Sequence, residues 1–212
     1  MIQILAENNF FYVIDKPAGL SVHNQTPSVQ EFIKALEKPE HFVNRLDRET
    51  SGLMLIAQKP EYHEPLSFAL GQGLKIYRAL LRGIIKEQTL IWNKPLTDQA
   101  EGRKNPQGLS KNRIACSTEF TALRTSKYFT EAHLKLNSGR QHQIRKHTAL
   151  ANHAIVGDPR YNDDSYNANI FKLYDVNRMF LHAEQISFEF EKQSYHFISN
   201  SFSLDQFFKA EL

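Results

Sequence analysis

Asn44-Arg45-Leu46-Asp47-Arg48-Glu49-Thr50-Ser51-Gly52-Leu53-Met54-Leu55-Ile56-Ala57 sets one aspartate between two arginines, then a turn of small residues, then an unbroken apolar run. The arginines favour the ionised form of the Asp47 carboxyl by charge attraction. An ionised, partly shielded carboxylate can act as nucleophile, general base or salt-bridge partner. Thr50-Ser51-Gly52 followed by residues 53–57 predicts a loop feeding a buried strand. Asp47 is therefore expected on a loop beside a rigid sheet, where catalytic groups concentrate. On the charge pattern alone, a surface salt-bridge loop is the plainer reading.

Working outward, the chain predicts a mixed α/β protein. Residues 2–5 and 10–14 read as strands, with Lys16-Pro17 and Gly19 making the next turn. Ser28 is placed as N-cap of a helix over 29–36, with Glu31 at the capping-box position and Pro39 beyond its end. A second helix is expected over 61–70, and strands over 77–85, 113–123 and 129–136. A further helix is expected over 143–152, just after the Gly139 turn. Residues 102–111 are polar and contain glycine, which predicts a mobile surface loop. No internal repeat or low-complexity tract is evident.

Composition sets bounds. With 212 residues the chain can form one large domain or two small ones, and its apolar and charged fractions suit a globular protein with a sizeable core. The single cysteine, Cys116, excludes an intrachain disulfide framework and reads as a small buried hydrophobe. No apolar run approaches a membrane span and the N-terminus lacks a signal-peptide pattern, so a cytoplasmic, membrane-free protein is expected. A monomer is the default expectation. The net charge of +3 does not announce a nucleic-acid partner. Its distribution is more informative: Lys and Arg recur at 75, 78 and 82, at 103, 104, 111 and 113, and at 140, 145 and 146. If these groups converge, they form a basic cleft for a phosphate backbone. The histidines 142, 147 and 153 are spaced by five and six residues, which does not put ligands on one helical face, so no metal site is expected.

The opening stretch resembles the signature of RluA-type pseudouridine synthases: His-Arg-Leu-Asp, two variable residues, then Thr-Ser-Gly. Asn44 stands at the histidine position. Three further segments match in order. Residues 15–23, Asp-Lys-Pro-Ala-Gly-Leu-Ser-Val-His, look like the family's Lys-Pro-x-Gly turn, and Lys75-Ile76-Tyr77-Arg78-Ala79 looks like its Lys-x-Tyr-x-Ala motif. Residues 138–147 resemble Gly-Arg-Thr-His-Gln-Ile-Arg-x-His, with Gln141 in place of the threonine. They run on into 153–161 and then Phe180-Leu181-His182-Ala183. The resemblance extends from about residue 6 to 205.

The resemblance implies an α+β fold: a single catalytic domain over 1–212, a mixed, mostly antiparallel bent sheet flanked by helices with a central cleft, and no appended N-terminal RNA-binding domain. It implies isomerisation of uridine to pseudouridine in ribosomal or transfer RNA, with neither cofactor nor metal. Asp47 matches the catalytic aspartate, Arg145 the basic residue that pairs with it, and Tyr77 the active-site tyrosine that stacks on the target base. Arg45 matches an arginine that fills the space left by a flipped base, and Lys75, Arg140, His142 and Lys146 are the further RNA-binding candidates. His23 and His182 are expected to support loops. Two other readings stay open: an RNA-binding protein of the same fold that has lost turnover, to which Asn44 and Gln141 are the only hints, and an aspartate-nucleophile hydrolase, which no second catalytic carboxylate motif supports.

Overall fold

The computed structural model describes residues 2–209. In chain order the elements are β1 (Gln3–Glu7), β2 (Phe11–Lys16), α1 (Val29–Ala35), β3 (His41–Phe42), β4 (Ser51–Ala57), α2 (Pro60–Gln72) and β5 (Leu74–Arg82). There follow β6 (Thr89–Trp92), β7 (Thr118–Thr125), β8 (Phe129–Leu136), α3 (Gln143–Leu150), α4 (Asp164–Tyr174), β9 (Leu181–Phe190), β10 (Gln193–Ile198) and a single 3-10 turn, Asp205–Phe207. The chain divides into two compact units, one made of the residues up to Lys75 with His182–Phe202, the other of Ile76–Leu181 with the residues from Ser203 on.

In the first unit β2 and β4 are the central strands, and every residue of both is buried. Their apolar runs, residues 11–14 and 53–57, show no in–out alternation and suit strands covered on both faces. They pair antiparallel from Phe11–Ala57 to Lys16–Gly52. β1 continues the sheet beyond β2, and β10 pairs antiparallel with β9. β4 pairs parallel with β9 in a ladder of two residue pairs, Ser51–His182 and Gly52–Ala183. Phe11, Val13, Leu53, Leu55, Leu66, Leu70, Ile186, Phe188 and Phe190 form the core. The expected Ser28 capping box is present, with the Ser28 hydroxyl accepting from the Glu31 N–H and Glu31 reaching back to the Ser28 N–H.

In the second unit β5, β8, β7 and β6 form an antiparallel sheet in that order. One face carries Ala79, Leu81, Phe120, Ala132 and Leu134, against which Ile144 of α3 packs with Ile155 and Met179. On β8 the buried Glu131 lies between Arg78 of β5 and Arg124 of β7, hydrogen-bonded to both.

The α+β class and the mostly antiparallel pairing are as expected, and β8 spans the predicted residues. The strand predicted over 113–123 instead starts at Thr118. Besides the two-residue β3 and the 3-10 turn, four elements went unread. β6 is four residues long, too short to register a period. β9 and β10 join through Glu191-Lys192, both at positive φ, a conformation usually marked by Asn-Gly or Asp-Gly. Helix α4 is capped at its start by the Asp163 side chain, but it ends on Asp175 in the left-handed region where glycine is the common stop signal. Residues 102–111 are fastened rather than free: Arg103 pairs with Asp163, Gly108 lies against Thr97, and Leu96 bridges Ile114. No helix among the described residues is long and apolar enough to cross a membrane.

Candidate active site

Asp47 lies on the loop between β3 and β4, half-buried, between two anchors: Leu46 and Thr50 are both buried. The Thr50 N–H donates to the Asp47 carbonyl at 3.1 Å, closing the turn. Before the aspartate, Asn44 acts as a side-chain extension of the sheet. Its carbonyl oxygen accepts from the Leu55 N–H at 2.8 Å and its Nδ2 donates to the Leu53 carbonyl at 3.4 Å. The departure at this position thus fixes the loop to β4.

Lys16 fastens the other side. Its Nζ, wholly buried, donates to the carbonyls of Pro17 (3.0 Å), Leu20 (2.8 Å) and Arg48 (3.2 Å). A buried ammonium is tolerable only when its donors are satisfied, and these three carbonyls draw the Lys-Pro-Ala-Gly turn onto the Asp47 loop. Gly19 completes the junction: its N–H donates to the Arg48 carbonyl and its own carbonyl accepts from Arg48 Nε at 3.1 Å. Its φ of +82° is the reason glycine stands there. Arg48, expected only as a charge beside Asp47, is therefore also part of the loop's frame. Arg45 is exposed.

In the second unit Tyr77 sits on β5 opposite Leu134, partly buried and packed against the core. Arg145, 2% exposed on α3, gives its Nε and one Nη to the two carboxylate oxygens of Asp158, at 2.8 and 2.9 Å. The Tyr161 ring centroid lies 5.4 Å from the guanidinium carbon. Asp158 also accepts from the Arg160 and Tyr161 N–H groups, so the carboxylate that orients Arg145 is itself fixed by the following turn. Asp158 was not singled out from sequence, although it lies in the quoted 153–161 segment. The turn before α3 is organised by Gln143, whose Oε1 accepts from Ser138 and the Arg140 N–H and whose Nε2 donates to the Ser117 carbonyl. His142 sits at the helix entrance at φ 55°, its Nδ1 3.0 Å from the Tyr161 hydroxyl. Gln141 is exposed, and its N–H donates to Asp98.

Two residues expected to contact RNA are otherwise engaged. Lys146 is wholly buried and donates to the carbonyls of Thr97 (2.8 Å) and Gln99 (2.6 Å), with burial lowering its pKa. Its charge tethers the segment that follows β6 and has no route to a phosphate. Lys75 donates to the carbonyls of Leu70, Gly71 and Gly73, neutralising the C-terminus of α2, and burial lowers its pKa as well. Both are invisible as such in sequence, where a carbonyl-bound lysine reads like a solvated one. Arg78, given to Glu131, likewise counts less toward a basic cleft than its position suggested. His147 bonds Thr118 through Nδ1 and donates from Nε2 to the Lys94 carbonyl. Among the described residues no group of three or more His, Cys, Asp and Glu side chains is placed to hold a metal ion.

The sequence model of the family described as RNA pseudouridylate synthase matches residues 10–150. A ribosomal large subunit pseudouridine synthase C of Haemophilus influenzae is 34% identical over 228 residues, covering 99% of this chain and 67% of that protein. Its counterpart in Haemophilus ducreyi is 34% identical over 202 residues, covering 89% and 62%. A tRNA pseudouridine synthase C of Yersinia pestis is 29% identical over 206 residues, covering 88% and 80%. The chain thus spans about three-fifths to two-thirds of the length of the ribosomal relatives. Among solved structures, human RNA Pseudouridylate Synthase Domain Containing 1 superposes with a TM-score of 0.78 at 20% identity, over 95% of this chain and 84% of that one. Human RNA Pseudouridylate Synthase Domain Containing 4 gives 0.74 at 22%, over 93% and 87%. With the aspartate motif set on a fastened loop and the sequence matched across its length, the chain belongs to the RNA pseudouridylate synthase family.

Proposed function

We propose that this protein isomerises uridine to pseudouridine within ribosomal or transfer RNA, with Asp47 as the catalytic carboxylate. The observation that carries the reading is the framing of Asp47: a half-buried carboxylate on a loop held by Lys16 at the Arg48 carbonyl, by Asn44 against β4 and by the Thr50 N–H on the Asp47 carbonyl. Positioning of this kind brings a reacting group within about 3–3.5 Å of its target without an entropic penalty at the moment of reaction.

In the reaction the bond between ribose carbon 1 and uracil nitrogen 1 breaks, the uracil rotates, and carbon 5 bonds to the same sugar carbon. Nitrogen 1 gains a proton and carbon 5 loses one, so atoms balance without oxidant or leaving group. Asp47 serves by attacking the sugar or by abstracting a sugar proton. Tyr77 is proposed to stack on the extruded base, an interaction worth roughly 1–3 kcal/mol that offsets part of the few kcal/mol needed to unstack it. Arg145 is proposed to supply fixed positive charge, its plane set by Asp158. Arg45, Arg140 and His142 are proposed as RNA contacts. A monomeric cytoplasmic enzyme needing no cofactor is the corresponding proposal for its working state.

The test is release of tritium from carbon 5 of uracil-labelled RNA, with chelator present and no nucleotide added. Release by the wild type, abolished in Asp47→Ala while RNA affinity is kept, is the expected result. RNA binding without release by the wild type would instead indicate a binding protein.

A further inference from the structure

Asp47 is framed on its N-terminal side by Asn44, and Lys16 holds the Arg48 carbonyl just after it; what fixes the exit from its loop is a second set of groups. The loop leaves through Thr50 into Ser51 and Gly52, where β4 meets β9 in a parallel ladder only two residue pairs long. Such a short ladder defines register weakly by itself. Gly52, at φ +116°, lies so close to β9 that a Cβ there would be 2.3 Å from the Ala183 carbonyl oxygen. Beside it a buried side-chain chain crosses the same junction. Ser51 Oγ is 2.8 Å from His182 Nδ1, His182 Nε2 is 2.9 Å from Ser199 Oγ, and Ser199 Oγ donates to the Asp15 carboxylate. All four residues are less than a tenth exposed, and the Phe202 ring stacks on the imidazole at 4.9 Å and 10°.

The direction of the chain follows from its end. Ser199 has one hydroxyl proton and donates it to Asp15, so it accepts from His182, and Nε2 carries the ring proton. In the neutral ring Nδ1 is then an acceptor, and the Ser51 hydroxyl donates into it. Asp15 is bonded in sequence to Lys16, whose ammonium holds the Arg48 carbonyl. The groups therefore form a closed circuit around the loop: Asp15, Ser199, His182, Ser51, the Thr50–Asp47 turn, Arg48 and Lys16. Burial of Ser51 keeps it from acting as a nucleophile toward a substrate.

We infer that His182 is a positioning residue for Asp47, acting through Ser51 as an Nε2–H tautomer set by Ser199 and Asp15. The inference rests on the reading of Asp47 as the catalytic carboxylate. It separates the two ring nitrogens. Asn at 182 can present an amide oxygen where Nδ1 stood and keep the Ser51 bond. Gln can present an amide N–H where Nε2 stood, keep the Ser199 bond and leave Ser51 without its acceptor.

The experiment compares Ser51→Ala, His182→Asn and His182→Gln in the full chain. It measures kcat and KM by tritium release, melting temperature, and hydrogen exchange at the Thr50 amide, which donates to Asp47. Misplacement of a reacting group by an ångström costs on the order of a hundredfold, so kcat is expected to fall at least about tenfold in S51A and H182Q with KM unchanged. H182N is expected to stay within about threefold of wild type on the same grounds. Thr50 exchange should quicken in S51A and H182Q and not in H182N. Equal loss in H182N and H182Q, a kcat loss that merely tracks melting temperature, or unchanged Thr50 exchange would overturn the inference. Absence of release by the wild type would overturn the proposed function, while Thr50 exchange would still decide whether His182 holds the loop.

Discussion

Lys16 Nζ lies 3.2 Å from the carbonyl oxygen of Arg48, joining the turn after β2 to the loop that carries Asp47. Because the same ammonium also serves Pro17 and Leu20 and is wholly buried, its removal strands three carbonyls at once. Each unsatisfied buried group costs about 1–3 kcal/mol. Lys16→Met, which keeps the aliphatic stem, is expected to lower stability by about 3–5 kcal/mol in a urea titration. A loss under about 1 kcal/mol would mean that these carbonyls find other donors.

Two glycines in motif segments should respond oppositely to alanine. Gly52 combines a positive φ with the Ala183 backbone in the space a methyl would occupy, and a backbone oxygen cannot swing aside. Gly52→Ala is expected to cost about 2–4 kcal/mol and to displace the Asp47 loop. Gly139 has open space around it, so Gly139→Ala should stay within about 0.5 kcal/mol of wild type. Thermal melts of the pair decide the matter.

The Arg145–Asp158 pair is buried on both sides, 2% and 0% exposed in the side chains. Removing one partner leaves an uncompensated charge in low dielectric. Asp158→Ala is expected to destabilise by about 3–5 kcal/mol by chemical denaturation. Activity should fall further than that instability explains, since Arg145 loses the group that sets its plane. Wild-type kcat in a folded D158A protein would show that Arg145 needs no such orientation.

His147 gives a pH dependence of known sign. Burial is the main cause that lowers its folded pKa; the Lys94 carbonyl opposes that shift and Lys146 adds to it. The unfolded imidazole binds a proton near pH 6.5, so below that pH the unfolded state holds more protons than the folded one. Stability contributed by the neutral ring is present above pH 6.5 and is lost as pH falls through and below it. The urea midpoint should therefore drop between about pH 7 and pH 5, and the part of the drop due to this ring should vanish in His147→Gln. A variant with an unchanged slope would assign the acid sensitivity elsewhere.

The readable parts of this chain are those with local causes. The Ser28–Glu31 capping box, the apolar run of β4 and the strand β8 each carry their reason within a few residues, and each was found. The motif aspartate, its loop and the strand beyond were legible in the same way. What was missed depends on distant partners. Lys16, Lys75 and Lys146 look like any surface lysine until the carbonyls around them are in place. Asp158 gives no hint in sequence that it holds a guanidinium thirteen residues earlier. The Glu191-Lys192 turn and the Asp175 helix end use residues that seldom mark those conformations, so β9, β10 and α4 passed unread.

The Ser51–His182 and Ser199–Asp15 bonds span 131 and 184 residues. On the ribosome, then, the loop carrying Asp47 emerges long before the strand that locks it, since His182 follows Ser51 by 131 residues. Closing loops of that length carries an entropic cost that slows assembly. A nascent chain halted before His182 has the Asp47 loop without the β9 half of its frame. The framing of the loop is thus late relative to the loop's own synthesis, completed only once β9 and Ser199 have followed it.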